Sequence, residues 1–151
     1  MEIVSSIQAT LAPLFLTNGI ALFNLVQQNR YARTSDRLTY FFEKHITLKE
    51  RPEMTYLEKR ISLIRTSMLF AYNSILFSLL TSLAILPISF INLTRYTHQL
   101  YLIATVLFSI SLLAFLMSLL TAIREVRVSY LYFRAKIESY KKEYNLEEKQ
   151  T

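Results

Sequence analysis

LYLIATVLFSISLLAFLMSLLTAIREVRVSYLYFRAKIESYKKEY, residues Leu100 to Tyr144, changes character partway along without changing its rhythm. The first part, Leu100–Ile123, holds no charged side chain and is long enough to cross a hydrocarbon layer about 30 Å thick, which takes roughly 20 apolar residues. Charges then arrive, yet Leu119, Ile123, Val126, Tyr130, Phe133, Ile137, Tyr140 and Tyr144 keep alternating steps of four and three. That period is one face of a single helix carried from the apolar run into the tail. Aromatic side chains are bulky for a tight two-stranded seam. The face from Val126 to Tyr144 is therefore expected to pack against a helical hairpin of its own or a neighbouring subunit. The alternative is a helix lying on the membrane surface with its tyrosines among headgroups. LEEKQT after Asn145 is polar and is expected to fray.

Two more runs lack charge, Ile7–Val26 and Thr66–Ile91. With 52% hydrophobic against 19% charged residues, the chain is too apolar for an ordinary soluble domain, and a bundle of buried soluble helices would show charged faces that these runs do not have. A single glycine and three prolines leave little for sheet turns, so the expected fold class is all-α: an integral membrane domain of three transmembrane helices. Met1-Glu2 puts no basic residue before the first run, which is expected to remain in the mature protein rather than be cleaved as a signal peptide.

Seventeen Lys and Arg against eleven Asp and Glu suggest an anionic partner, and their placement selects lipid over nucleic acid. Nine fall between the first and second runs, seven after the third and one, Arg95, between the second and third. The positive-inside rule then sets the N-terminus outside and the tail in the cytoplasm, against anionic lipid. Asn92-Leu93-Thr94 matches a glycosylation acceptor on the outer side, a pattern short enough to arise by chance.

Between the first two runs the sequence stays helical. Tyr31, Leu38, Phe41, Phe42 and His45 share one side, and Pro52 in KERPE suits the first turn of a new helix. Met54, Leu57, Ile61, Ile64 and Met68 then continue into the second run. The expected cytoplasmic extension is thus a helical hairpin over 29–65 together with the tail helix over 124–146.

Chemistry finds few footholds. Without cysteine there is no thiolate site, the two histidines, His45 and His98, fall on opposite sides of the membrane, and the runs carry no ionisable relay. The expectation is a non-enzymatic protein with no cofactor and no metal. Small polar residues are more informative. Thr10, Thr17, Asn24 and Gln28 fall within about 40° on the first helix. Ser67, Ala71, Ser74, Ser78, Thr81 and Ser89 stripe the second, and Ser111, Ala114, Ser118, Thr121 and Ala122 the third. Such stripes let helices approach closely in lipid. For the first helix three uses compete, contact between helices of a homo-oligomer, the lining of a water-filled axis and a cavity within a single subunit, with Pro13 and Gly19 marking where that helix could bend. At the boundary Arg30, Arg33, Asp36 and Arg37 meet the depth of Arg124, Glu125 and Arg127. This predicts a charge cluster with pairs such as Arg33 with Asp36 and Arg37 with Glu125, the other arginines serving lipid phosphate, a neighbour's Glu or simple anchoring.

VSSIQATLAPLFL, RYARTSDRL and AIREVRVSYLYFR resemble the bacterial membrane family named domain of unknown function 2721, matching at Gln8, Ala12, Pro13, Arg33, Asp36, Arg37, Arg124 and Glu125. The resemblance covers nearly the whole chain and implies a small three-span protein of the bacterial inner membrane. It brings no reaction, cofactor or partner. The single glycine of the first run departs from a segment that is richer in glycine in the family. The leading expectation is a homo-oligomeric passive conduit for ions or small solutes, lined by Thr10, Thr17, Asn24 and Gln28. Its rival is a scaffold or assembly factor that recruits a cytoplasmic protein or anionic lipid through the aromatic seam and the basic hairpin.

Overall fold

In the chain's three long helices the sequence period decides which residues turn inward. The computed structural model describes the backbone of residues 2–43, 51–90 and 97–147, and the side chains of 11–43, 52–85 and 98–141. It contains α1 (Glu2–Glu43), α2 (Arg51–Phe90) and α3 (Thr97–Glu147). The sides of α2 and α3 over Pro52–Ile85 and His98–Lys141 are long and apolar enough to cross a membrane, and only 28% and 17% of their most apolar windows are buried within the chain. Their large apolar side chains, Leu76, Leu83, Leu113 and Leu116 among them, point outward, the reverse of a soluble core.

The interior is correspondingly small-sided. On α2 the buried residues Leu57, Ile64, Ser67, Ala71, Ser74, Ser78, Thr81 and Ile85 follow a seven-residue repeat. Its counterparts on α3 are Ala104, Ser111, Ser118, Ala122 and Glu125. These two helices run antiparallel and lock through reciprocal serine contacts. Ser67 Oγ donates to the Ser118 carbonyl at 2.9 Å while Ser118 Oγ donates to the Ser67 carbonyl at 2.7 Å. One repeat along, Ser74 and Ser111 exchange the same pair at 2.7 and 2.8 Å. A hydroxyl that reaches the neighbouring backbone requires close helices, and every polar atom in the exchange is satisfied.

α1 packs along the other side of α2 and barely touches α3. Its buried positions are Pro13, Ile20, Asn24, Gln27 and Thr34. Ser78 Oγ donates to the Pro13 carbonyl at 2.8 Å, and Thr17 Oγ1 lies 2.9 Å from Ser78 Oγ and 2.8 Å from that carbonyl. Gly19 faces open space: a Cβ there would meet nothing within 4 Å, so the residue does not mark a close approach within the chain. Pro52 sits in the first turn of α2, where its missing N–H leaves no intrahelical bond unmade.

Candidate functional site

The basic end of the bundle gathers residues from all three helices. Glu125 of α3 is fully buried. Arg60 Nε of α2 donates to its Oε1, and Arg30 Nη1 of α1 stands 3.1 Å from its Oε2, an ion pair without hydrogen-bond alignment. Burying a carboxylate is costly unless paired, and here one carboxylate serves two guanidiniums, leaving the trio with a net positive charge.

Two turns further out a second carboxylate repeats the pattern. Glu53 of α2 accepts from Arg37 of α1 at 2.6 Å and from Lys136 of α3 at 3.0 Å. Beside it the Tyr56 and Tyr132 rings stack at 4.0 Å, with Lys136 Nζ 5.9 Å from the centre of Tyr132. Partial burial raises the proton affinity of Glu53, yet Lys136 and Arg37 together outweigh it and hold the carboxyl below its ordinary value.

The expected boundary cluster is therefore divided. Glu125 pairs with Arg30 and Arg60, and Arg37 pairs with Glu53 rather than Glu125. The cause is axial distance: seven residues from Arg30 to Arg37 carry a side chain about 10 Å along the helix, beyond reach of the carboxylate that Arg30 meets. Arg33, Asp36, Arg124 and Arg127 are exposed and make no ion pair among the described residues.

The residues expected to line an axis have neighbours inside the chain. Thr17 meets Ser78 and Pro13, Asn24 is 4% exposed, and Gln28 donates through Nε2 to the Tyr72 hydroxyl at 2.7 Å on the bundle surface. The Thr10 and Tyr144 side chains lie outside the described residues, as do Ser89, His45, Arg95 and the Asn92 acceptor pattern. Asn24 Oδ1 and Gln27 Oε1, one turn apart, are buried with no hydrogen-bond partner.

The α3 seam does not pack within the chain. Val126, Tyr130, Phe133, Ile137 and Tyr140 are 49–63% exposed. The face turned to α2 is the next one round, through Ser118, Ala122, Glu125, Ser129, Tyr132 and Lys136, about 100° away. Small and hydrogen-bonding side chains admit a close neighbour, while the aromatic stripe is too thick for the serine-set spacing.

Because α1 and α3 flank α2 and meet only at points such as the Phe23–Phe115 edge contact, with ring centres 5.9 Å apart, and the Arg30–Glu125 pair, a groove of about 560 Å³ opens between them at the level of Glu125. Phe23, Val26, Leu119 and Ile123 form apolar walls, with Gln27, Arg30 and Arg127 also on the lining. Val126 and Tyr130 of the seam border it too. A smaller hollow of about 190 Å³ near Pro13, Thr81 and Ala104 carries no charged side chain. No group of His, Asp and Glu with metal-binding geometry occurs among the described residues.

Gln27, Arg60, Glu53 and Lys136 were not among the residues expected to form a site. Arg60 was legible in principle, since it falls in the seven-residue repeat that runs from Leu57 to Ile64 and Ser67. Gln27, three residues past Asn24, could have been preferred over Gln28 by the same alternation.

Residues 10–134 match the family described as Protein of unknown function (DUF2721), and the chain belongs to that family. No curated protein and no solved structure matches it.

Proposed function

We propose that this DUF2721 member is a three-span membrane protein acting as a homo-oligomeric, non-catalytic scaffold. In this reading α1 inserts beside α2 and α3, the N-terminus lies outside and the basic end stands in the cytoplasm, an orientation that the distribution of Lys and Arg supports. The observation that carries the reading is the α3 seam. An apolar, largely aromatic stripe that projects past the charge-free run and is left half exposed by its own chain is a surface for another helix. In a symmetric assembly two copies of such a stripe cover each other, and a cytoplasmic protein partner can use the same face. Thr17 already has hydrogen-bond neighbours within the chain, which takes weight from the conduit. That second reading keeps one observation in its favour, the unpartnered amide oxygens of Asn24 and Gln27.

The test is the detergent-corrected mass of the purified particle, with and without Tyr130→Asp plus Ile137→Asp, beside solute flux in liposomes. The scaffold requires a wild-type oligomer, dissociation of the double variant at unchanged helicity, and sealed vesicles. A wild-type monomer overturns it. Vesicles that leak, and cease to leak on Asn24→Leu, return the conduit.

A further inference from the structure

The α1–α3 groove has a composition that neither the serine interface nor the outer seam shares. Its walls are apolar, through Phe23, Leu119 and Ile123, and its lining includes two guanidiniums, Arg30 and Arg127. Charge there is unbalanced. No carboxylate is on its lining: the buried Glu125 beside it is already divided between Arg30 and Arg60, and Arg127 has no acidic partner among the described residues. Gln27, 2% exposed, lines the same groove with its amide oxygen unpartnered.

We propose that this groove binds one anionic phospholipid, with its phosphate on Arg30 and Arg127 and an acyl chain along Phe23, Leu119 and Ile123. Guanidinium N–H groups suit phosphate oxygens in geometry as well as charge, and Arg30 retains donors beyond the one aimed at Glu125. Gln27 lies one turn along α1 from Arg30, toward the apolar run, where the ester carbonyls of such a lipid sit. Amide oxygen and nitrogen exchange places by a half-turn, so the carboxamide offers an N–H to an ester and its buried orphan is resolved. Charge complementarity favours lipid over a second copy of the chain, because the charge-free runs bring no carboxylate into the groove whereas phosphate belongs at the depth where they end. The proposal rests on the membrane-spanning part of the reading above and not on the oligomer.

The chain contains no tryptophan, so Phe23→Trp installs a single reporter on the groove wall, and Tyr130→Trp serves as a second if the first fails to fold. Full-length protein in phosphatidylcholine bilayers is titrated with phosphatidylglycerol or phosphatidylcholine carrying brominated chains. Half-maximal quenching is expected at about tenfold lower mole fraction of the anionic lipid, with Arg127→Gln reducing the preference to about twofold and Arg124→Gln, on the exposed side, leaving most of it. Millimolar inorganic phosphate is expected not to relieve the quenching. Equal quenching by the two lipids, or equal loss from Arg124→Gln and Arg127→Gln, overturns the site in favour of general surface attraction. Relief by free phosphate overturns the lipid as its occupant, and a reporter quenched by neither lipid means that protein fills the groove. A lost preference with an intact oligomer sinks this site alone, whereas protein that fails to insert into the bilayer sinks both readings.

Discussion

α2 meets α3 across serines, and α1 faces α3 across a groove. At the first boundary each of the four serine hydroxyls finds the opposite carbonyl at 2.7–2.9 Å. At the second, bulky apolar side chains border an open groove, Phe23 reaches Phe115 only edge to face, and the Gln27 amide oxygen is orphaned. Small hydroxylated side chains pull helices together in lipid, where no hydrophobic force separates protein from its surroundings. Where large side chains and carboxamides stand instead, the helices stay apart and the surface remains available. Glu125 joins the two regimes, since its Arg60 partner lies across the closed interface and its Arg30 partner on the groove. Glu125→Ala is therefore expected to have the largest effect. It strands two guanidiniums beside a buried cavity, a loss of about 3 kcal/mol, read as unfolding in a fixed detergent. Arg60→Ala combined with Glu125→Ala should cost less than the sum of the two single changes, since they share one interaction. Additivity would show that the carboxylate does not organise this end.

The serine boundary can be broken by size alone. Ser118→Leu adds two side-chain heavy atoms to a spacing set by hydroxyl-to-carbonyl bonds, and about 2 kcal/mol of destabilisation is expected. Ser118→Ala, which loses hydrogen bonds but not the spacing, should cost under about 1 kcal/mol. The same enlargement at Ala21, exposed on α1, should change stability by less than about 0.5 kcal/mol. If Ser118→Ala proved as damaging as Ser118→Leu, polar exchange rather than closeness would be the source of the interface.

These interfaces differ in how much of them could be read beforehand. The all-helical class followed from three charge-free runs with almost no turn residues, and the serine stripes of α2 and α3 are buried as a face of small residues implies. Family membership was legible in VSSIQATLAPLFL, RYARTSDRL and AIREVRVSYLYFR. Which stripe of α3 faces α2 was not. Two periodic faces lie one residue apart, one aromatic and one small, and periodicity gives both the same rhythm. Hydrophobicity favours the aromatic face, but close packing against α2 selects the small one, and in a membrane the latter governs. The ion pairs escaped for a different reason. Which arginine reaches Glu125 depends on the axial register of α1 against α2 and α3, set by contacts such as Thr17 with Ser78, and no local spacing reports it.

The outer clamp is expected to contribute far less than the buried Glu125 cluster, and the sign of its effect follows from charge. Glu53 is held below its ordinary value by Lys136 and Arg37 against the opposing effect of burial, so its contribution to stability is complete above the unfolded carboxyl value and disappears as pH falls through the folded one. Its partners are 34% and 56% exposed, and solvent screening limits the whole clamp to about 1 kcal/mol or less. Wild type should exceed Glu53→Gln by a constant margin across neutral pH, and the margin should shrink below roughly pH 4.3, where an unpaired glutamate takes up its proton. Salt should reduce that margin far more than it reduces the effect of Glu125→Ala, because the outer pair borders solvent and the inner carboxylate is sealed. A margin insensitive to both acid and salt would mean that Glu53 acts through packing beside the Tyr56–Tyr132 stack, and the clamp would then belong with the closed interface rather than with the open, charged side of the comparison.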